Sequence, residues 1–239
     1  MTSKDPIRFT VPLYTVADAA RIVGVPATTL AAWAQGYVRT FPNRPDVSGS
    51  PIVTHLQSGK RQPTIPFVGL AEALVLAAVR KSGVPMQRIR PALQQLETVI
   101  GLEHALASRK LYTDGAELLF DYGEDHSGSD QAELVRNLVV VRNGQRVFVE
   151  VIEAYLNRIE YGADGYARLI RVPAYEHAQV VADPTRAFGL PIFERGGVRV
   201  DDVLERFWAG DPLDELSAEF GVPAEQLEDV LRVASRPAA

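Results

Sequence analysis

Cysteine is absent from the 239-residue chain, and histidine is represented by only four residues. The absence of cysteine excludes disulfides, thiolate metal ligands and cysteine nucleophiles. The four histidines are widely separated and lack the close spacing of metal-binding pairs, so a metal site would have to gather ligands from distant elements. Histidines satisfied at the surface are the simpler interpretation. We therefore expect neither a metal nor a cofactor.

The chain also lacks long hydrophobic runs. No apolar run reaches the length of about 18 residues that marks a transmembrane helix, and the start, MTSKDPIRF, has no signal-peptide hydrophobic region. These absences favour a cytoplasmic protein with no membrane partner. With 46% hydrophobic residues, the chain has enough apolar bulk for one large domain or for two to three small ones.

Motifs of common enzyme classes are missing as well. The sequence contains no glycine-rich phosphate loop, no G-x-S-x-G elbow and no paired-histidine motif. Glu150 with Glu153, or Asp121 with Glu124 and Asp125, could be drawn as catalytic carboxylates. Solvent-facing charges that alternate with buried residues explain these carboxylates without any chemistry. We therefore expect no enzymatic activity and no catalytic residues.

The net charge of −5 is unevenly distributed. Residues 1–66 carry seven Lys and Arg against three acidic residues, and residues 67–110 carry six against three. Residues 111–182 and 183–239 each carry six basic against twelve acidic residues. Only the first 110 residues therefore have the electrostatic sign that binding to nucleic-acid phosphates requires.

The stretch from Tyr14 to Tyr37 predicts two short helices around a tight turn. Thr15 is placed to cap the first helix, with Asp18 in its first turn, where negative charge is favoured. Gly24 is a stop signal, and Pro26 suits the start of the second helix. Apolar positions at helical spacing are Val16, Ala19, Ala20 and Ile22, then Leu30 and Trp33. The pattern is that of a helix-turn-helix, whose second helix enters the DNA major groove.

The second helix has few long polar side chains. Thr28, Thr29 and Gln35 are the main candidates for DNA contact, whereas Trp33 is better explained as a core residue. Ala31 and Ala32 precede Trp33, and because alanine side chains cannot hydrogen-bond to base edges, the helix is poorly suited to recognise bases. Basic side chains in the loop and in the hairpin that follow this helix are therefore expected to supply much of the affinity for DNA.

Basic side chains follow in a loop and in a predicted hairpin. Residues 38–50, rich in Pro, Ser, Gly and Asn, are predicted to be a loop that carries Arg39 and Arg44. Two β-prone runs, PIVTHLQ and TIPF, then flank Lys60 and Arg61. A hairpin after a recognition helix is a wing, and its basic tip could reach phosphates or the minor groove. The alternative is a solvated turn.

An α-hairpin is predicted next. One helical stripe contains Leu70, Leu74, Ala77 and Ala78, and a second runs from about Pro85 to Ile100. Gly83 separates the two predicted helices. Arg80, Lys81, Arg88 and Arg90 cluster around the bend.

The first 100 residues resemble a MerR-type winged helix-turn-helix. The matching pieces are TVADAARIVGVPATTLAAW, the hairpin, and a helix leading into RKSGVP and Ile89. The resemblance implies that the second helix and the wing contact double-stranded DNA, and that a dimer binds near-palindromic sites. MerR-type proteins usually carry an arginine just before the aromatic residue of the recognition helix, a position held here by Ala32.

Residues 111–182 change to a period of two, which predicts a small antiparallel sheet of about four strands. LYTDGAELLFDYG is interpreted as a strand. Asn143-Gly144 between LVVVR and QRVFVEV is a strong hairpin signal, and Asp164-Gly165 between YLNRIEY and YARLIRV predicts another.

The C-terminal segment predicts three helices, Val200–Trp208, Leu213–Phe220 and Pro223–Val233. The turn Phe220-Gly221-Val222-Pro223 repeats Val23-Gly24-Val25-Pro26, which indicates a second unit like a helix-turn-helix. Because its charge is −6, contact with phosphates is disfavoured, and a dimerising or protein-binding role fits better.

The C-terminal segment is also similar to a domain of unknown function found on antitoxins. The residues that carry the similarity are Asp183-Pro184, Gly189-x-Pro191-Ile192, Phe207 and Gly210. With the MerR-like front, the chain resembles antitoxins of the VapB kind. This resemblance implies a VapC-like PIN-domain ribonuclease toxin as partner, and repression of the antitoxin's own operon.

The sequence thus predicts an α+β protein with a winged helix-turn-helix domain at 1–110, a β-rich connecting domain at 111–182 and a helical domain at 183–239. The expected function is that of a homodimeric DNA-binding antitoxin. The alternative is a MerR-like regulator with a small-molecule effector site in the central sheet.

Overall fold

The computed structural model describes residues 6–42, 44–59, 62–83, 103–125, 139–142 and 145–235, together with Arg90, Thr98, Gly101 and Gly128. The helices are α1 (Pro6–Phe9), α2 (Val16–Val23), α3 (Ala27–Gln35), α4 (Phe67–Lys81), α5 (Arg109–Asp125), α6 (Glu150–Leu156), α7 (Val200–Trp208), α8 (Leu213–Phe220) and α9 (Ala224–Ala234). The strands are β1 (Tyr37–Phe41), β2 (Arg44–Gly49), β3 (Val139–Arg142), β4 (Gln145–Phe148), β5 (Ile159–Tyr161), β6 (Ala167–Arg171), β7 (Val180–Ala182) and β8 (Ile192–Phe193). Within these ranges, no helix is both long and apolar enough to cross a membrane.

Helix α4 is the central element of the core. Every residue from Phe67 to Val79 is buried, as expected for a helix that is apolar on all sides. Glu72 is the one charged residue in this range. Its carboxylate accepts hydrogen bonds from the Thr54 N–H at 2.6 Å and from the Thr54 hydroxyl at 3.0 Å. It also contacts His104 Nδ1 at 3.1 Å. These partners offset the cost of burying the carboxylate.

The described chain begins with the short helix α1. Pro6 begins α1, where proline's missing N–H costs no hydrogen bond. The helix is held by non-local contacts that the sequence does not reveal. Arg8 pairs with Asp164 and donates to the Ala167 carbonyl at 3.1 Å, while Phe9 packs edge-on against Tyr166.

Both predicted hairpins of the central segment are present. β3 pairs antiparallel with β4, and Arg142 opposite Gln145 leaves the two residues Asn143 and Gly144, which lie outside the described residues, for the turn. β5 and β6 flank Asp164-Gly165 and begin a four-stranded antiparallel sheet of order β5-β6-β7-β8. Its last strand lies at 192–193, beyond the boundary predicted for the sheet.

One predicted strand is a helix instead, and another is only partly strand. LYTDGAELLFDYG lies within α5, where Leu111, Ala116 and Leu119 are buried on one face. Most of YLNRIEY is likewise not strand, because α6 extends to Leu156 before β5 begins at Ile159. The apolar residues of α5 repeat at intervals of three to five, so the period-two interpretation of this stretch was wrong.

The three helices near the C-terminus, α7 to α9, pack on one another and on the sheet. Val203, Leu216, Leu227 and Val230 have no exposed surface and join a core that continues to α2 and α4. Asp229 of α9 accepts the backbone N–H groups of residues 176–178, which fixes α9 to the turn before β7. The division into three domains stays a prediction.

Candidate nucleic-acid interface

The predicted helix-turn-helix is formed by α2 and α3. The Thr15 hydroxyl accepts the Asp18 N–H at 3.1 Å, and the Asp18 carboxylate accepts the Thr15 N–H at 3.3 Å, so both halves of a capping box are made. Gly24 ends α2 with a φ of 75°, and its N–H donates to the Ala20 carbonyl. Local residues therefore fix the angle at which α3 leaves the turn.

The apolar face of α3 determines which of its side chains are exposed. Leu30 is fully buried and Trp33 is 3% exposed, which confirms the prediction that Trp33 is a core residue. Thr28 and Gln35 lie on the exposed side, and Thr29 is half-buried. The Arg80 guanidinium donates to the Thr29 hydroxyl at 2.8 Å, so the end of α4 supports α3 directly.

The described hairpin beside α3 is not the one predicted. Residues 52–59 and 62–65 contain no strand; the chain only turns back there, with the Leu56 N–H donating to the Thr64 carbonyl at 2.7 Å. Lys60 and Arg61, the predicted basic tip, lie outside the described residues. The antiparallel strands instead occupy 37–49, a region predicted to be a loop.

Strands β1 and β2 place the loop arginines in this hairpin. Arg39 lies on β1 opposite Val47, is exposed, and its guanidinium is 5.4 Å from the centre of the Tyr37 ring. Arg44 begins β2 opposite Phe41. The hairpin follows α3 after one glycine, Gly36.

A cleft of about 190 Å³ lies between α3 and the hairpin. It is lined by Thr28, Thr29, Ala32, Trp33, Tyr37, Arg39 and Arg90. Three of the predicted site residues, Thr28, Thr29 and Arg39, therefore meet at one place. Gln35 does not line the cleft, although it is exposed on the same helix.

Arg90 is the most informative residue of the cleft. It is only 7% exposed, donates through Nη1 to the Ser50 carbonyl, and lies 5.9 Å from the centre of the Tyr37 ring. Its Nε has no hydrogen-bond partner among the described residues, which also hold no carboxylate in an ion pair with it. Burial lowers the pKa of Arg90, and the neighbouring Tyr37 opposes that change.

A buried guanidinium that has no acidic partner among the described residues can accept an external anion. Arg39 and Arg90, with the hydroxyls of Thr28 and Thr29, provide the donors that proteins use on phosphate oxygens. Tyr37, Arg80 and Arg90 were not among the predicted site residues. The sequence did show the basic cluster around Gly83, but only the folded chain brings Arg90 against Tyr37.

Comparisons with known proteins identify two family models in the chain. A family model described as "Putative DNA-binding HTH domain" matches residues 12–93, and a model for a protein family of unknown function, DUF433, matches residues 180–234. A Mycobacterium tuberculosis protein named "Putative antitoxin VapB45" is 48% identical over 231 residues, covering 94% of this chain and 95% of that protein.

Two further similarities extend over nearly the whole chain. The Mycobacterium tuberculosis protein named "Uncharacterized protein Rv2308" is 25% identical over 224 residues, covering 92% of this chain and 88% of that protein. The crystal structure of Rv2018 from the same organism superposes with a TM-score of 0.84 at 45% identity, covering 94% of this chain and 99% of that one. The described fold is therefore that of a solved protein.

Proposed function

Since the chain belongs to the family of the Mycobacterium tuberculosis protein named "Putative antitoxin VapB45", we propose that it is a DNA-binding antitoxin. The observation that carries the DNA half is the cleft between α3 and the β1–β2 hairpin, where Arg39 and the buried Arg90 lie beside two threonine hydroxyls. The toxin half rests on the relative's name.

In the proposed complex, α3 lies in the major groove of double-stranded DNA. Thr28 and Gln35 face the bases, and Arg39 and Arg90 hold backbone phosphates beside the groove. The described part of the wing is β1–β2, with Arg39 and Arg44 on its two strands. Lys60 and Arg61 remain candidates for phosphate contact. The MerR-like character of this arrangement is part of the proposal.

The proposed partner is a PIN-domain ribonuclease that the antitoxin holds inactive, and the proposed DNA target is the antitoxin's own operon. Both come from the resemblance to VapB antitoxins. A homodimer, paired through α7–α9, would present two copies of α3 to half-sites about 34 Å apart, one helical turn of DNA. The apolar helices and the acidic surface of this segment motivate the pairing, because they suit protein contact better than phosphate contact.

The DNA half is tested by fluorescence anisotropy with a duplex from upstream of the gene. We expect the affinity to fall steeply between about 50 and 200 mM salt, because phosphate contacts release counterions. Arg39→Ala should lower the slope of log K against log salt by about 0.9 for each phosphate that the variant no longer neutralises, with little change in sequence preference.

The matched control is Arg168→Ala. Arg168 is an exposed arginine on β6, paired with Glu160 at 2.6 Å and far from the cleft in sequence. Its replacement should leave the salt slope unchanged. Salt-insensitive binding by the wild type, or equal slopes for the two variants, would contradict the phosphate assignment. The toxin half is tested separately, by asking whether a ribonuclease co-purifies with the chain from its native host and loses activity in the complex.

A second candidate function is regulation by a small-molecule effector. A cavity of about 710 Å³ is bordered by Val172, Ala174 and Tyr175, which follow the central sheet strand β6. This volume suits a small ligand. A ligand that raises the melting temperature of the protein and changes its DNA affinity would favour this function. So would a neighbouring gene that encodes a transporter or a metabolic enzyme rather than a nuclease.

A further inference from the structure

A groove separates the helix-turn-helix from the helices near the C-terminus. Its volume is about 710 Å³, and its walls come from α2, from the segment after β6, and from α7 and α9. Neither α3 nor the β1–β2 hairpin contributes a residue to these walls, so the groove and the DNA cleft are different surfaces.

The interior of the groove is apolar and its rim is charged. Ile22 and Leu204 form part of the apolar wall, and burial raises the pKa of Tyr175 to about 12, so its phenol is neutral at physiological pH. At the rim, Arg21 pairs with Asp201 at 3.2 Å. Glu205 lies one turn along α7, is exposed, and has no basic partner in the described part of the chain.

Trp208 lies at the edge of the groove with 64% of its surface exposed. It is one of the few large apolar side chains that the described residues leave in solvent. The neighbouring Arg206 adds no free positive charge, because Glu219 holds it in two hydrogen bonds of 3.0 and 3.1 Å and Asp211 pairs with it as well. The edge therefore combines an exposed indole with uncompensated negative charge.

The acidic character extends over the three helices near the C-terminus, of which α7 and α9 line the groove. Five exposed acidic side chains of α7–α9 have no basic partner among the described residues: Glu205, Asp214, Glu215, Glu225 and Glu228. An enzyme that acts on RNA must hold a polyanion and presents positive charge to do so. The acidic helices are thus complementary to the substrate-binding surface of a ribonuclease.

We propose that the groove between α2 and α7 is the site where the toxin docks, through a segment that places an apolar side chain against Trp208 and Leu204 and Lys or Arg beside Glu205. This inference rests on the proposed antitoxin function. Exposed tryptophans are frequent binding hot spots, and an acidic rim selects a cationic partner. A second copy of this chain fits the groove poorly, because it would bring acidic side chains beside Glu205, so the proposed homodimer would pair through faces of α7–α9 outside the groove.

The test uses the ribonuclease that co-purifies with the wild-type chain and measures its affinity by surface plasmon resonance. We expect Trp208→Ala and Glu205→Lys each to weaken binding by at least about tenfold, and Glu205→Lys to slow association most at low salt. Both positions are exposed, so neither change creates a core cavity. Both variants should keep wild-type affinity for DNA, which verifies that the chain is folded.

The matched controls are Phe188→Ala and Asp114→Lys. Phe188 is an aromatic residue that is 80% exposed outside the groove, and Asp114 is an exposed carboxylate on α5. Wild-type affinity for both controls, together with weakened binding for both groove variants, supports the docking site.

Three results would overturn it. If the groove variants bind the ribonuclease as the wild type does, the docking site is elsewhere while the antitoxin function stands. If native mass spectrometry finds a small molecule in the groove, or if Trp208→Ala dissociates a homodimer, the occupant is an effector or a second copy. If no ribonuclease co-purifies with the wild type, the antitoxin function itself fails.

Discussion

Asp229 is expected to be the most sensitive single carboxylate in the attachment of α9 to the sheet. Its side chain is buried, with the residue 3% exposed, and Oδ2 accepts the backbone N–H groups of Glu176 at 3.0 Å, His177 at 2.8 Å and Ala178 at 2.9 Å. Asp229→Ala removes all three hydrogen bonds at once. The Ala178 hydrogen bond is buried, whereas the other two are partly exposed to water.

The magnitude follows from this difference in exposure. An orphaned buried N–H costs about 2 kcal/mol, and the two partly exposed donors, which water can reach, cost about 0.5 to 1 kcal/mol each. Asp229→Ala should therefore lower the free energy of unfolding by about 3 to 4 kcal/mol. Asp229→Asn keeps one acceptor oxygen but loses the charge, and should cost about half as much.

Urea denaturation followed by circular dichroism measures these values. The matched control is Glu228→Ala, the preceding residue on α9, which is exposed and unpaired among the described residues. Its cost should stay within about 0.5 kcal/mol. A destabilisation by Asp229→Ala no larger than that of the control would refute the reasoning.

The pH dependence gives an independent check. Burial alone would raise the pKa of Asp229, but its three backbone donors outweigh that effect and hold the pKa below its ordinary value of 3.8. Such a carboxylate stabilises the fold at pH values above its unfolded pKa, and the contribution is lost as the pH falls through the folded pKa. The difference in stability between wild type and Asp229→Asn should therefore be full at neutral pH and shrink below about pH 4.

Four further predictions concern other contacts of the fold. Thr15→Ala should lower the free energy of unfolding by about 1 kcal/mol, and thermal unfolding of the double variant with Asp18→Ala should show a smaller summed cost, because the capping box is shared. Gly24→Ala should cost about 1 kcal/mol for its left-handed backbone alone, since an added Cβ meets nothing within 4 Å. Gly189→Ala should cost at least twice as much in urea denaturation, because its Cβ would lie 2.3 Å from the Tyr14 hydroxyl; equal costs would show that Tyr14 moves freely. Asp164→Asn should cost about 1.5 to 3 kcal/mol by the same assay, since it removes the carboxylate that pairs with the nearly buried Arg8 guanidinium, and a cost below about 1 kcal/mol would show that this ion pair contributes little to stability.

The sequence predicted best where the determinants are local. Thr15, Asp18 and Gly24 lie within ten residues of one another, and together they set the start of α2, its end and the turn into α3. The helices α7 to α9 were likewise predicted almost to the residue, because their apolar stripes repeat at helical spacing and Gly221 ends α8 in the left-handed conformation. The hairpins predicted at Asn143-Gly144 and Asp164-Gly165 likewise depend on local turn residues.

The failures lie where tertiary contacts decide. The β1–β2 hairpin has side chains that are exposed or half-buried on both faces, so it shows no alternation of apolar and polar residues, and Pro45 argued against a strand. A two-stranded sheet has only edge strands, which is where proline is tolerated. The candidate cleft was predicted only in part for the same reason. Thr28, Thr29 and Arg39 were predicted site residues, whereas Arg90 was not, because it comes from much further along the chain.

The positions of the two surfaces limit how strongly they can influence one another within a single chain. Arg21 of α2 and Asp201 of α7 form the ion pair that links the helix-turn-helix to the wall of the groove. Their side chains are 58% and 39% exposed, and exposed ion pairs contribute at most about 1 kcal/mol, which is a factor of about five in affinity. A larger effect of the proposed toxin on DNA affinity would require a change in the apolar core that α2 shares with α7–α9, or in the geometry of the proposed homodimer. In a homodimer, a change in the spacing of the two copies of α3 would alter both half-site contacts together, and we therefore expect any strong coupling to disappear on a DNA fragment that carries a single half-site.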